Sequence, residues 1–533
     1  MSRRGRLAWL GGYALATFLA FPHPLGERVV DLGFAAAWLA PACLVLGLRG
    51  LGPGAAARAA FAAGLAAHAA IFHWIYVVTV AYGQAPPPVG VLAAVGLAVY
   101  PAAFVAAFGA GAGWLGRRAL PDPFAAAALW TALDHARAFA LTGFPWAVLG
   151  YAQHRNAPLL ALAPYTGVWG LSFATVLGGV ALAALAAGER RRALAPLATV
   201  AALHVAGALD AARDPGEPAA RVRVAVLQGD IDQGVKWSPE WADRTLAIYE
   251  DLTRRAAAEG AQLVVWPETA VPGSPDANPE LAERLAALAR ETRTTLVAGA
   301  VGLSWSRGGA APRYFDSAFV IDSSGAEEER YDKAHLVPFG EYLPLRGLLG
   351  GFVEALARGV ADTDVSRGRG PRALSIPIRE DHAAPGVPSA ALPAGVPICY
   401  ELLFPDLVRG FVGGGAQLLL AITNDAWYGR TGAPYQFLAI TALRSAENRV
   451  WTARAANTGV SAFIDHRGRV VSQTRIFERD LLVADVPLRP APAGGSFYTR
   501  HGDLFAWGCW AAVAVLAARR LREGPIGVPQ ERA

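Results

Sequence analysis

The 533-residue chain is 54% hydrophobic and 17% charged, with a formal net charge of +5 and a positive mean hydropathy. That balance is too apolar for an ordinary soluble protein, and the arginines gather at the ends of apolar runs rather than along a groove, which argues against a nucleic-acid partner. Three cysteines without paired spacing give neither a disulfide framework nor a zinc site.

In chain order, apolar segments lie near 7–21, 30–48, 55–80, 89–115, 123–141, 159–187 and 194–211, with an eighth near 503–518. Most approach the ~20 residues that cross a bilayer. A cleaved signal peptide accounts for the first segment alone, so the six that follow predict a multi-pass bundle. Residues 1–212 are therefore expected to form a membrane domain of about seven transmembrane helices, and 502–520 a C-terminal one. Arg3, Arg4 and Arg6 precede the first span, Arg49 and Arg58 flank the second loop, Arg117 and Arg118 the fourth, Arg190, Arg191 and Arg192 the sixth, and Arg519, Arg520 and Arg522 follow the last. By the positive-inside rule both termini are cytoplasmic and 212–500 lies on the outer face, in a bacterium the periplasmic side of the inner membrane. His68, His73, Asp134, His135 and Arg137 stand out within the apolar half. Ionisable groups at membrane depth are functional candidates, although a place at a span end makes them ordinary.

After the linker 213–218 the pattern changes. Strands are expected at 222–227, 263–266, 295–301, 317–321, 417–423, 450–455, 461–464 and 481–486, and helices at 239–259, 279–292 and 436–447. Such alternation, with some strands in direct succession, predicts stacked α and β layers over 221–490. The stretch 345–392 combines the apolar piece 348–353 with a long Pro, Arg and Ala-rich run, the pattern of a lid or binding element.

Three polar clusters close predicted strands: Trp266-Pro267-Glu268, then Lys333 within Lys-Ala-His-Leu-Val-Pro-Phe-Gly-Glu, then Ile398-Cys399-Tyr400-Glu401. Cys43 and Cys509 sit in apolar runs, so Cys399 alone has ionisable neighbours. A thiolate nucleophile, a carboxylate to take its proton and a fixed ammonium make a complete acyl-transfer site. A free thiol has a pKa of ~8.5, so a positioned base matters. Each cluster alone has an ordinary reading: a packed cysteine, a helix-capping glutamate, a solvated loop lysine.

Together they are the signature of the nitrilase or carbon–nitrogen hydrolase superfamily. The stretches 333–344, 398–401, 423–429 and 454–460, with Gln228-Gly229 and Lys236-Trp237, resemble the apolipoprotein N-acyltransferase family within it, over nearly the whole chain. The resemblance implies a four-layer αββα sandwich carried on the membrane bundle. It further implies that Cys399 is the nucleophile, Glu268 the base and Lys333 the oxyanion stabiliser. Glu341 and Glu401 match accessory glutamates, Tyr400 follows the nucleophile, and Trp237 matches a tryptophan tied to substrate handling. A phospholipid would donate its sn-1 acyl chain through a thioester, releasing lysophospholipid, and the N-terminal amine of an S-diacylglyceryl-cysteine on an apolipoprotein would accept it. No cofactor and no metal is implied, and nothing suggests more than a monomer. Two departures from the family pattern are Asp316, where many members carry Asn, and Tyr435 and Phe437, where a histidine-bearing stretch is common. A membrane-anchored amidase or hydrolase with water as acceptor would use the same triad, and a non-catalytic scaffold would have lost part of it.

Overall fold

A computed structural model describes residues 1–26, 28–116, 119–213, 216–236, 238–305, 312–342, 365–379, 391–488 and 495–522. The apolar piece 348–353 and Trp237 lie outside the described residues.

Seven helices stand at the first seven apolar segments: α1 (Arg3–Leu19), α2 (Gly33–Leu48), α3 (Pro53–Ile71), α4 (Pro87–Leu115), α5 (Pro123–Ala136), α6 (Val168–Ala186) and α7 (Arg190–Ala212). Proline opens α3, α4 and α5, where its missing N–H has no partner to lose. The Asp122 side chain caps α5 by accepting from the Ala125 N–H at 3.0 Å. Of these seven, α3, α4, α6 and α7 are long and apolar enough to cross a membrane. Helices α3 and α4 touch through small residues: a Cβ on Gly109 would come 2.6 Å from Ala60 Cβ, the close approach that membrane helices use in place of a hydrophobic driving force. The expected span at 55–80 is interrupted. After α3 ends, the chain makes a short turn at Trp74–Tyr76 and a π-helical turn at Val77–Tyr82. Likewise α6 begins only at Val168, behind the short turns Ala157–Leu160 and Ala163–Thr166.

Several polar residues of the bundle are met within it. His68 Nδ1 and His73 Nδ1 bond the carbonyls of Gly64 and Ala70 at 2.7 and 2.9 Å. Asp134 accepts from Trp130 Nε1 at 3.1 Å and Ser172 Oγ at 3.0 Å, and faces Arg137 at 3.5 Å. His135 Nε2 meets Asp503 Oδ2 at 3.2 Å.

The second half is an αββα sandwich. One six-stranded sheet contains β1 (Ala220–Gln228), β2 (Leu263–Val265), β3 (Thr295–Ser304), β4 (Arg313–Ile321) and β5 (Glu327–Asp332). The other contains β6 (Leu374–Ile376), β7 (Leu392–Gly395), β8 (Leu418–Thr423), β9 (Trp451–Ala456), β10 (Ala462–Ile464) and β11 (Val470–Gln473). A long strand, β12 (Asp480–Leu488), returns to pair antiparallel with β1, giving the order β12-β1-β2-β3-β4-β5. The central strands β1–β3 are parallel, as are β7–β9, and such strands are covered on both faces. Period-two alternation divides β1 accordingly. Val222, Val224 and Val226 face the core shared with the second sheet, whereas Ala225 and Leu227 pack with Leu246, Leu252 and Leu285 of α8 (Pro239–Ala258) and α9 (Pro279–Thr292). On the far side α10 (Pro405–Gly413) and α11 (Ala433–Asn448) cover the second sheet with Val408, Phe411, Ile440 and Leu443.

Helix α11 also rests on the bundle. Trp146 Nε1 donates to Gln436 Oε1 at 2.8 Å, Arg444 Nη2 to the Tyr151 hydroxyl at 3.1 Å, and the Val168 N–H to Glu447 Oε1 at 2.9 Å. The final long helix α12 (Leu504–Arg522), also of membrane-crossing length and apolarity, packs on α5.

Two fully buried ion pairs hold this junction and the second sheet: Arg444–Glu447 at 3.0 Å and Arg454–Asp425 at 2.7 Å. Arg454 also donates to the Val460 carbonyl and Thr441 Oγ1. Replacing it by leucine strands Asp425 without compensation, a loss of about 3–5 kcal/mol. Arg454→Leu is therefore expected to lower the unfolding midpoint of the detergent-purified protein sharply; an unchanged midpoint would show that the pair stabilises nothing.

Candidate active site

Each cluster is delivered by the end of a strand. Beyond β2, Trp266 is pinned by its Nε1 bond to Thr253 Oγ1 at 3.0 Å and by stacking on Tyr249 at 5.0 Å. The chain then turns at Glu268-Thr269, with Thr269 at φ +46°. That turn lies flat against β3 only because residue 299 is glycine: a Cβ there would sit 2.3 Å from the Pro267 carbonyl and 2.7 Å from Glu268 Cα. After β5, the Lys333 N–H bonds the Asp316 carbonyl at 2.8 Å and extends the ladder by one residue, which turns the lysine side chain inward. Glu341 follows in a tight loop whose Val337 N–H donates to Glu341 Oε2 at 2.9 Å.

Cys399 opens a 3₁₀ turn, Cys399–Leu403, with φ +46°, a conformation that costs a non-glycine residue of order 1–3 kcal/mol and recurs at active sites. Glu401 braces it. One of its oxygens accepts from the Tyr331 hydroxyl at 2.8 Å, the Ala334 N–H at 2.6 Å and the His335 N–H at 3.2 Å; the other accepts from the Ile398 N–H at 2.8 Å. The cysteine turn and the lysine turn are thus tied to one buried carboxylate.

At the centre is the ammonium of Lys333, fully buried, 2.9 Å from Glu268 Oε1, 3.0 Å from Asp316 Oδ2 and 2.5 Å from Glu341 Oε1. These carboxylates lie within 4.8 Å of one another, a spacing that would also suit a cation; here the lysine fills it. Glu268 Oε2 accepts from the Asn424 N–H at 2.8 Å. A second buried lysine, Lys236, donates to the Glu268 carbonyl at 3.1 Å and Thr269 Oγ1 at 2.6 Å. The Cys399 thiol lies within electrostatic reach of Glu268, Lys333 and Lys236.

Charge sets the protonation states. Burial alone would raise Glu268, but the Lys333 ammonium and hydrogen bonds from Asp316 and Lys333 win and hold its carboxyl at about 2. Burial opposes the Lys333 charge, yet Glu268, Glu341 and Asp316 keep it an ammonium well beyond its ordinary range. Burial, then the Glu268 charge, push the Cys399 thiol well up, with Lys333 only partly opposing. The resting site therefore holds a thiol, a carboxylate and an ammonium, and the sulfur becomes nucleophilic as its proton leaves.

The structure gathers Glu268, Lys333, Cys399, Glu341, Tyr400 and Glu401 around one point. Tyr400 donates its hydroxyl to the Gly143 carbonyl of the bundle at 3.3 Å, and His335 is a packed ring against Phe404 at 3.8 Å. Below the site, Tyr428 meets Trp74 at 5.0 Å and Trp146 at 5.8 Å, and Phe437 stacks on Trp146 at 5.5 Å. Sequence reasoning gave no role to Lys236 or Asp316. A signal for the latter was present: an aspartate inside the run Phe315-Asp316-Ser317-Ala318-Phe319 is out of place in a covered strand.

Comparison with known proteins agrees with this architecture. A carbon-nitrogen hydrolase family model matches residues 223–491, and a model of the apolipoprotein N-acyltransferase N-terminal domain matches residues 13–181. An apolipoprotein N-acyltransferase of Geobacter metallireducens is 39% identical, covering 98% of this chain and 96% of the relative. One from Azotobacter vinelandii is 36% identical, covering 90% of each. Among solved structures, an amidase from Nesterenkonia sp. aligns at 21% identity with a TM-score of 0.38, over 56% of this chain and 100% of the amidase.

Two outcomes test the geometry. Gly299→Ala should displace the Glu268 turn and lower activity by about a hundredfold, as a misplacement of ~1 Å does; wild-type activity would mean that the turn tolerates the shift. In a background with Cys43 and Cys509 changed to serine, Cys399 should react with iodoacetamide at pH 7 at least about tenfold more slowly than free cysteine and accelerate as pH rises above ~8.5. Labelling at pH 7 as fast as a low-pKa thiol would overturn the assigned protonation.

Proposed function

The chain belongs to the apolipoprotein N-acyltransferase family and is an integral membrane acyltransferase of lipoprotein biosynthesis; from that premise we propose that it moves the sn-1 acyl chain of a phospholipid, through a thioester on Cys399, to the N-terminal amine of a diacylglyceryl-cysteine apolipoprotein. The observation that carries this reading is the Lys333 ammonium held at 2.9 Å from Glu268 beside a buried thiol, directly above an aromatic floor contributed by the bundle.

In the first half-reaction the Cys399 S–H proton passes to the Glu268 carboxylate as sulfur bonds the ester carbon. Negative charge gathers on the carbonyl oxygen, and Lys333, already desolvated and oriented, stabilises it without reorganising. Collapse breaks the bond to the glycerol oxygen, which takes the proton from Glu268 and leaves as lysophospholipid. In the second half-reaction the acceptor amine loses its proton to Glu268 as nitrogen bonds the thioester carbon, and the departing sulfur recovers that proton. Glu341 orients Lys333, and Glu401 holds the two turns in register. Trp237, which matches a family tryptophan, takes part in substrate handling.

Lipid access suits the junction. Both substrates carry acyl chains in a bilayer, and the Trp74, Trp146, Tyr428 and Phe437 rings form an apolar surface between the bundle and the site. With both termini cytoplasmic, the catalytic domain stands on the outer face of the bacterial inner membrane. Tyr435 and Phe437 stand where a histidine-bearing stretch is common; Phe437 stacks on Trp146 of the bundle, and Tyr435 packs within the sandwich beside Leu438 and Val460.

The test is intact-mass analysis of wild type and Cys399→Ser after incubation with phospholipid, followed by a diacylated lipopeptide. Wild type should gain one acyl mass that hydroxylamine removes and that transfers to the peptide amine, whereas Cys399→Ser should show no hydroxylamine-labile adduct. Decay to free fatty acid with the peptide ignored would replace this reading with that of a hydrolase.

A further inference from the structure

The charges of the site do not balance if every carboxyl group is ionised. Lys333 faces Glu268, Asp316 and Glu341, and Lys236 contacts the Glu268 turn. Three anions against two ammonium groups would leave net negative charge among side chains at most 17% exposed, beside a thiol that must lose a proton. One carboxyl group therefore carries a proton.

The hydrogen bonds identify it. Glu268 has both oxygens facing donors, Lys333 Nζ and the Asn424 N–H. Glu341 likewise receives Lys333 Nζ on one oxygen and the Val337 N–H on the other. Asp316 receives Lys333 Nζ on Oδ2 at 3.0 Å, while its buried Oδ1 has no donor, and its carboxyl group lies within 4.8 Å of that of Glu268. Two carboxyl oxygens share a hydrogen bond only with a proton between them.

Resting on the function proposed above, we propose that Asp316 is a positioning residue that stays protonated and donates its O–H to Glu268, fixing the base and neutralising the cluster. Burial pushes both Asp316 and Glu341 upward, and the Glu268 charge adds to the push on each. The titratable groups around it are Glu268 beyond β2, Lys333 and Glu341 beyond β5, Lys236 beyond β1 and Cys399. Ionising Asp316 at high pH removes the donor and adds a third negative charge to the cluster beside the thiol, so acylation slows.

The experiment reads the first half-reaction, adduct formation from phospholipid without acceptor peptide, from pH 6 to 10. Asp316→Ala should lower the maximal acylation rate by about tenfold or more at pH 7, with the phospholipid concentration for half-maximal rate little changed. Asp316→Asn, which keeps one donor and one acceptor, should recover most of that loss and lack the wild-type decline at high pH. Asparagine as damaging as alanine, or an unaltered alkaline limb, would overturn the proposal. Infrared difference spectroscopy of the resting protein at pH 7 reads the proton without turnover. A protonated-carboxyl band present in wild type and absent in Asp316→Asn supports the assignment even if no adduct forms, which would count against the acyl-transfer reading alone; absence of the band in wild type defeats the assignment.

Discussion

An ammonium withdrawn from water costs several kcal/mol unless opposite charge meets it, and Lys333 is met by carboxylates from three separate stretches of chain. That condition organises the sandwich. Glu268 must arrive from the end of a parallel strand, Asp316 from within an antiparallel one and Glu341 from a loop closed on its own backbone. Because burying the lysine needs this opposing charge, folding of the first sheet and assembly of the site are coupled. The second sheet brings Cys399, the proposed nucleophile, and Glu401 accepts hydrogen bonds from both sides of the seam, so the sulfur inherits its position from the same lysine turn.

The bundle completes the site from below. Helix α11 is buried along nearly its whole length, between the second sheet and the turns that precede α6. Its contacts with Trp146, Tyr151 and Val168 are directional hydrogen bonds, which fix orientation more strictly than apolar packing. The proposed acyl transfer needs that fixity, since its reacting carbonyl would have to meet sulfur and ammonium together.

Much of this was legible beforehand, and what was not has physical reasons. Eight apolar segments mark eight helices because hydrocarbon demands length and apolarity at once. Their ends are less visible: α3 stops at Ile71 and α6 starts at Val168 because short turns carry the same composition as the helices beside them. Strand β5 reads Glu-Glu-Glu-Arg-Tyr-Asp, charged as an edge strand is, and so resembles a loop. Strands β6 and β7, of three and four residues, are too short for alternation to register. In the site, Glu268, Lys333 and Cys399 were readable because each closes a cluster of unusual residues. Lys236 was not, since its burial arises only when the Glu268 turn folds over it. Asp316 was noticed as a departure, but its meaning depends on counting charges in three dimensions.

Asp503 links the two ends of the molecule. It accepts from Trp169 Nε1 at 2.6 Å and the Tyr498 hydroxyl at 2.8 Å while pairing with His135, so residues of α5 and α6 wait for a partner that the ribosome supplies more than 300 residues later. Until then those groups lie unsatisfied at or near hydrocarbon, at a cost of several kcal/mol each. A chain that stops short of Asp503 leaves His135 and Trp169 without this partner.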